Sequence, residues 1–108
     1  MIIATSENIA GAKIVKTLGI ARGGSVRSRN AVSDLSNGIK SIIGGELKGY
    51  SEMQAQTREQ ALQRMIADAD SMGANAVVAV RFDASSITVG ATEINAYGTA
   101  VVIEEGAA

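Results

Sequence analysis

The sequence predicts an α+β domain in the order β-β-α-α-β-β, with two helices on one face of a small, mostly antiparallel sheet. Three observations carry this reading. Apolar residues recur at helical spacing in two consecutive stretches, residues 32–43 and 62–72. Alternating or β-branched stretches stand before and behind them. Between the second helical stretch and the strand that follows lies Gly73-Ala74-Asn75, a helix stop and tight turn.

Taken in order, Ile2, Ile3 and Ala4 precede the polar run Thr5-Ser6-Glu7-Asn8 and read as a short strand and turn. Residues 13–22 read as a second strand. Ile14, Leu18 and Ile20 fall on one side, with Lys16 as the exception, and Val15, Thr17 and Ala21 on the other. Gly23-Gly24-Ser25 is expected to end or bulge that strand, and Val26 can continue it. Val32, Leu35, Ile39, Ile42 and Ile43 then form one helical stripe, with Ser28 or Asn30 as cap and Gly44-Gly45 as stop. Gly38 inside it weakens the helix by about 1 kcal/mol relative to Ala.

The second helix is expected to start at Ser51, where Gln54 completes a capping box and Glu52 meets the positive end of the helix dipole. Leu62, Met65, Ile66, Ala69 and Met72 make its buried face. Thr57, Arg58, Gln60, Gln63, Arg64 and Asp68 lie mostly elsewhere. Residues 76–83 are apolar on both faces until Arg81, which suits a central strand covered on each side. After a looser link through Gly90, residues 93–103 form the last strand. Ile94, Ala96, Gly98, Ala100 and Val102 share one face, and Asn95, Tyr97, Thr99, Val101 and Ile103 the other. The last two strands are expected to pair antiparallel.

Composition limits the function classes. At 108 residues the chain reads as one domain, residues 1–108. Eighteen residues are Ala, twelve Gly and only three aromatic, so each core residue buries little apolar area. Burial against copies of itself would offset that deficit, which points to a homo-oligomer. Ten basic and eleven acidic residues leave a net charge of −1, which argues against a general nucleic-acid or membrane-surface binder. The sequence has no Cys to staple it, no signal-like start and no apolar run of membrane-spanning length, so a cytoplasmic protein is expected.

With no His and no Cys, the usual soft-metal ligands are missing, and no nucleophile–base pair is recognisable. What remains for a metal is carboxylate oxygens, including Glu46, Asp68, Asp70, Asp83 and Glu93, and the thioethers of Met1, Met53, Met65 and Met72. Met65 and Met72 fall on the buried helix face and read as core. Arg64 and Asp68, four apart, read as a surface pair. The two Gly pairs lack the lysine of a phosphate loop and read as turns. Arg22, Arg27 and Arg29 form the densest basic cluster, and residues 27 and 29 share a side of an extended chain, as an anion site would need.

The ordered segments Val26-Arg27-Ser28-Arg29-Asn30, Gly44-Gly45-Glu46, Tyr50, residues 58–65 from Arg58 to Met65, Gly73-Ala74-Asn75-Ala76-Val77-Val78 and Tyr97-Gly98-Thr99-Ala100-Val101 run nearly the whole chain. On these the chain resembles the YbjQ-like family, small bacterial and archaeal proteins labelled for heavy-metal binding but with no established activity. The resemblance implies a subunit similar to the dodecin-like plan, assembled as a ring, with a homopentamer or a pair of stacked pentamers (a decamer) as its size. Arg27, Arg29, Glu46, Tyr50 and Arg58 are the polar cluster on which a small-ligand or ion site is expected; no catalytic residue, metal ligand or cofactor is assigned. A ring-forming, ligand-binding protein is the leading expectation. The alternatives are the metal-binding module of the family label and an enzyme with sites at subunit boundaries.

Overall fold

The computed structural model describes residues 1–28, 45–88 and 90–106; of residues 45–48 and 50 it describes the backbone alone. Among the described residues the elements are β1 (Ile2–Ile3), β2 (Ala12–Ser28), α1 (Gly45–Ser71), β3 (Ala76–Thr88) and β4 (Ala91–Glu105). The sheet order is β1-β3-β4-β2. β4 pairs antiparallel with both β2 and β3, as expected for the last two strands, whereas β1 pairs parallel with β3 through Ile2 and Ile3.

This corrects the expected β-β-α-α-β-β plan. The described chain is β-β-α-β-β, with one helix and a mixed four-stranded sheet. The expected first helix, residues 32–43, lies outside the described residues. The structure is that of a single chain, and the ring joined to that expectation is not part of what it shows. The element boundaries also move. β2 does not stop at Gly23-Gly24-Ser25 but runs through all three to Ser28. Ser51 is not a cap: α1 begins at Gly45 and Ser51 stands exposed within it. An exposed serine inside a helix costs only a few tenths of a kcal/mol, too little to force a start there.

The helix end follows the sequence closely. Gly73 adopts φ +88°, the left-handed conformation that glycine enters without steric cost. The Gly73 N–H donates to the Asp70 carbonyl at 3.0 Å and the Ala74 N–H to the Ala69 carbonyl at 3.1 Å. Those two bonds are the Schellman motif, which uses carbonyls the helix would otherwise leave bare. Asn75 then acts as an extra residue of the sheet. Its side-chain amide donates to the Ile103 carbonyl at 2.9 Å, and its Oδ1 accepts from the Ile103 N–H at 2.7 Å.

Two apolar clusters sit on opposite faces of the sheet. Under the helix lie Ala21, Ala61, Met65, Ala69, Val77, Val80, Ile94, Ala96 and Ala100. On the other face Ala76, Val78, Val101 and Ile103 are covered by Ile9, Ala12 and Ile14. The alternation read along residues 93–103 holds: Ile94, Ala96 and Ala100 face the helix, and Val101 and Ile103 face away. Met65 is fully buried and Met72 packs on the same cluster, as core residues. Thr57, expected off the buried face, is instead fully buried. Its hydroxyl is satisfied by donating to the Met53 carbonyl one turn back at 2.6 Å.

A bulge in β3 lets the N-terminal segment dock. Between Val78 and Arg81 the β3–β4 register shifts, and Ala79 takes φ +54°, a conformation that costs a non-glycine residue about 1 kcal/mol or more. The freed N–H groups find new partners: Ala79 donates to Ser6 at 2.8 Å and Val80 to Ala4 at 3.0 Å.

At Gly23 the helix backbone comes close to the sheet. A Cβ there would fall on the Met65 backbone nitrogen and the Ala61 carbonyl oxygen, and within 2.7 Å of the Arg64 carbonyl carbon. Backbone cannot turn aside as a side chain can, so the helix rests on bare β2 main chain. Gly23→Ala is expected to destabilise the fold by about 2 kcal/mol or more, lowering the thermal midpoint by ~10 °C. Gly49→Ala, inside the helix with open space around its Cα, should raise stability by roughly 0.5–1 kcal/mol. Thermal unfolding followed by circular dichroism checks both; equal, small effects would contradict the close seat.

Candidate functional site

On the helix side, α1 grips β2 by four polar side chains one turn apart. Asp68 Oδ2 accepts from the Arg22 backbone N–H at 2.9 Å, and Arg64 Nη1 donates to the Gly24 carbonyl at 2.7 Å. The Ser25 hydroxyl donates to Gln60 Oε1 at 2.5 Å, and Arg27 Nη1 to Gln56 Oε1 at 3.0 Å. The spacing explains the match. Twelve helical residues rise about 18 Å, and five strand residues about 17 Å, so helix steps of four keep pace with β2 from position 22 to 27. Arg64 and Asp68, expected as a surface pair with each other, are both engaged by the main chain of β2.

The polar cluster expected from the sequence divides as follows. Arg27 is half-buried and held by Gln56. Arg58 stands exposed on α1. Arg29 lies outside the described residues, and Glu46 and Tyr50 are placed as helix backbone only. Arg22 and Arg27, adjacent members of the basic cluster, point to opposite faces, because five residues separate them along a period-two strand.

The other face carries a concavity that sequence order conceals. An open cleft of about 510 Å³ is lined by Ile20, Arg22, Gly23 and Gly24 of β2, Asp83 of β3, and Asn95, Ala96 and Tyr97 of β4. The register brings them together: Arg22 stands opposite Tyr97, Gly24 opposite Asn95, and Asn95 opposite Asp83. Asn95 is oriented by its own amide, which donates to Glu93 Oε1 at 2.9 Å. Arg81, across from Tyr97, is occupied, its Nη1 donating to the Thr5 and Val80 carbonyls, each at 2.9 Å. Alternation along β2 and β4 was the available signal for this face; the pairing register was not.

The donor set does not suit a heavy metal. The chain has neither His nor Cys, Met65 is sealed in the core, and among the described residues no three carboxylates gather as a metal-holding group. No helix among the described residues is long and apolar enough to cross a membrane.

Residues 1–104 match the family model described as "Putative heavy-metal-binding". The chain belongs to the YbjQ family. It is 52% identical over 103 residues to a UPF0145 protein of Methanosarcina acetivorans, covering 95% of this chain and 97% of that one. A UPF0145 protein of Hahella chejuensis is 50% identical over 104 residues, covering 96% of this chain and all of its own. A crystal structure of a protein of unknown function from Pediococcus pentosaceus, assigned to the DUF74 family, superposes with a TM-score of 0.67 at 17% identity, over 96% of this chain and 98% of that one. That likeness speaks for the fold alone. The YbjQ family has no assigned activity, and no cofactor is established for it.

The Ser25 hydroxyl is almost completely buried, so its bond to Gln60 is testable. Gln60→Leu should cost about 1–3 kcal/mol by leaving the hydroxyl unsatisfied, and adding Ser25→Ala should recover part of that loss. Urea unfolding of the two single variants and the double variant measures the coupling; strict additivity would mean that the bond contributes nothing.

Proposed function

We propose that the protein is a non-enzymatic, cytoplasmic subunit that completes its sheet against copies of itself. One observation carries this reading: beyond Arg81, β3 continues for seven residues, Phe82 to Thr88, all exposed, with no strand on its outer edge among the described residues. The Cα radius of gyration is 17.7 Å, against about 13 Å for a compact chain of this length, and the long axis is 58 Å. The projecting end carries Phe82, Ile87 and Val26 at 44–58% exposure. An open edge beside exposed apolar side chains is a pairing surface, and natural monomers avoid leaving one.

A second open edge supports a cyclic arrangement. On β2 the helix ladder reaches positions 22–27, while Lys13, Val15, Lys16 and Thr17 stand exposed toward the strand's other end. Two different edges at opposite ends of one chain suit a head-to-tail contact, which closes as a ring when the rotation permits. Five copies is the number that the family resemblance implies. The metal-binding alternative finds no donor set among the described residues, and no observation here favours it.

Light scattering coupled to size exclusion at micromolar concentration should give a multiple of the 11.1 kDa chain mass, five-fold for a pentamer. Ile87→Glu, on the exposed edge, should return the single-chain mass with its helix content intact. A wild-type protein at 11.1 kDa would defeat the proposal.

A further inference from the structure

We propose that the cleft on the helix-free face is a binding site for a small zwitterion with an apolar body, of the class of a free α-amino acid bearing an aromatic or branched aliphatic side chain. The inference goes beyond self-assembly, because β2, β3 and β4 of one chain build the cleft. Its volume lies in the range of small-molecule sites.

The lining sorts by chemistry. At one end is the Arg22 guanidinium and at the other the Asp83 carboxylate, and neither side chain has a hydrogen bond or ion pair with another described residue. Arg22 lies on β2 and Asp83 on β3, two strands apart and two residues offset, so their Cα atoms stand about 12 Å from each other. The long Arg22 side chain and the short Asp83 side chain can close from the two sides on the carboxylate and ammonium of an α-amino acid, which carries both complementary charges on one carbon. The guanidinium fork takes a carboxylate through two parallel N–H donors. The carboxylate accepts from an ammonium group.

Next to Arg22 stand Ile20, two residues back along β2 on the side away from Asp83, and Tyr97, opposite Arg22 on β4; they are 61% and 43% exposed, so both side chains are available to the apolar body of a guest. Beside them the Asn95 side chain lies over Gly24, its Oδ1 2.7 Å from where a Cβ would stand. The neighbouring cation, Arg81, turns its Nη1 to the Thr5 and Val80 carbonyls and does not line the cleft, so Arg22 is the guanidinium there to take a guest's carboxylate.

The test is a titration of the ¹⁵N-labelled protein with L-phenylalanine, 3-phenylpropanoate (no ammonium) and phenethylamine (no carboxylate), read from amide shifts. Phenylalanine should produce saturable shifts at Gly23, Gly24, Asn95, Ala96 and Tyr97 with a Kd of about 1 mM or tighter. Arg22→Ala should weaken phenylalanine and phenylpropanoate by about tenfold, and Asp83→Asn should weaken phenylalanine and phenethylamine while leaving phenylpropanoate unchanged. Both side chains are exposed, so unchanged circular dichroism verifies the fold of each variant. The absence of saturable shifts, phenylpropanoate binding as tightly as phenylalanine, or indifference to both substitutions would overturn the proposal. Repeating the titration on Ile87→Glu separates this site from assembly: retained binding supports a single-chain site, and loss of binding overturns it.

Discussion

The structure depends on the seating of α1 on bare β2 backbone at Gly23. A helix held that close favours small side chains at the contact, where Ala21, Ala61, Ala69, Ala96 and Ala100 gather beside the larger Met65, Val77, Val80 and Ile94 of the same cluster. Small residues bury modest area each, but close packing of main chain on main chain recovers dispersion contact. The same proximity brings Gln56, Gln60, Arg64 and Asp68 within reach of β2 and sets the strand's path from Arg22 to Arg27. Covering one face so tightly leaves the opposite face to the short N-terminal segment, which covers only the end near Val101 and Ile103. The remaining surface of that face is the cleft.

What was legible in the sequence was local. Gly73-Ala74-Asn75 announced a helix stop because left-handed backbone at the end of a helix demands glycine, and the alternation from Ile94 to Ile103 announced a strand because one residue in two meets the core. The misread positions share a cause, which is that a distant element decided them. Gly23-Gly24 looks like punctuation until the helix that rests on it is known. Thr57 looks solvent-facing until its hydroxyl, by donating to the Met53 carbonyl, frees it to be buried. Ser51 has the pattern of a cap, yet the helix continues past it from Gly45. The parallel pairing of β1 with β3 joins residues more than seventy positions apart, and no periodicity encodes it.

The site followed the same rule. Arg22 and Arg27 looked like members of one basic cluster, and the strand's period of two sends them to opposite faces. Asp83, Asn95 and Tyr97 come from different strands and meet Arg22 only through the register of β4 with both of its neighbours. The family label names a metal, but the side chains present name another chemistry: guanidinium, carboxylate, amide and phenol around an apolar wall. The chain has neither His nor Cys, and among the described residues no three carboxylates gather as a metal-holding group.

A sheet covered tightly at one end and left open at the other is the central claim, and amide hydrogen exchange tests it most directly. Exchange is measured residue by residue at high concentration and again after strong dilution. The account predicts that the amides between Phe82 and Thr88 that point away from β4 are protected at high concentration and lose that protection on dilution, while the amides of that stretch bonded to β4, and those of Ala96 and Ala100, stay protected throughout. Rapid exchange of those outward amides at every concentration, or protection of them that dilution leaves unchanged in a protein of single-chain mass, would contradict it.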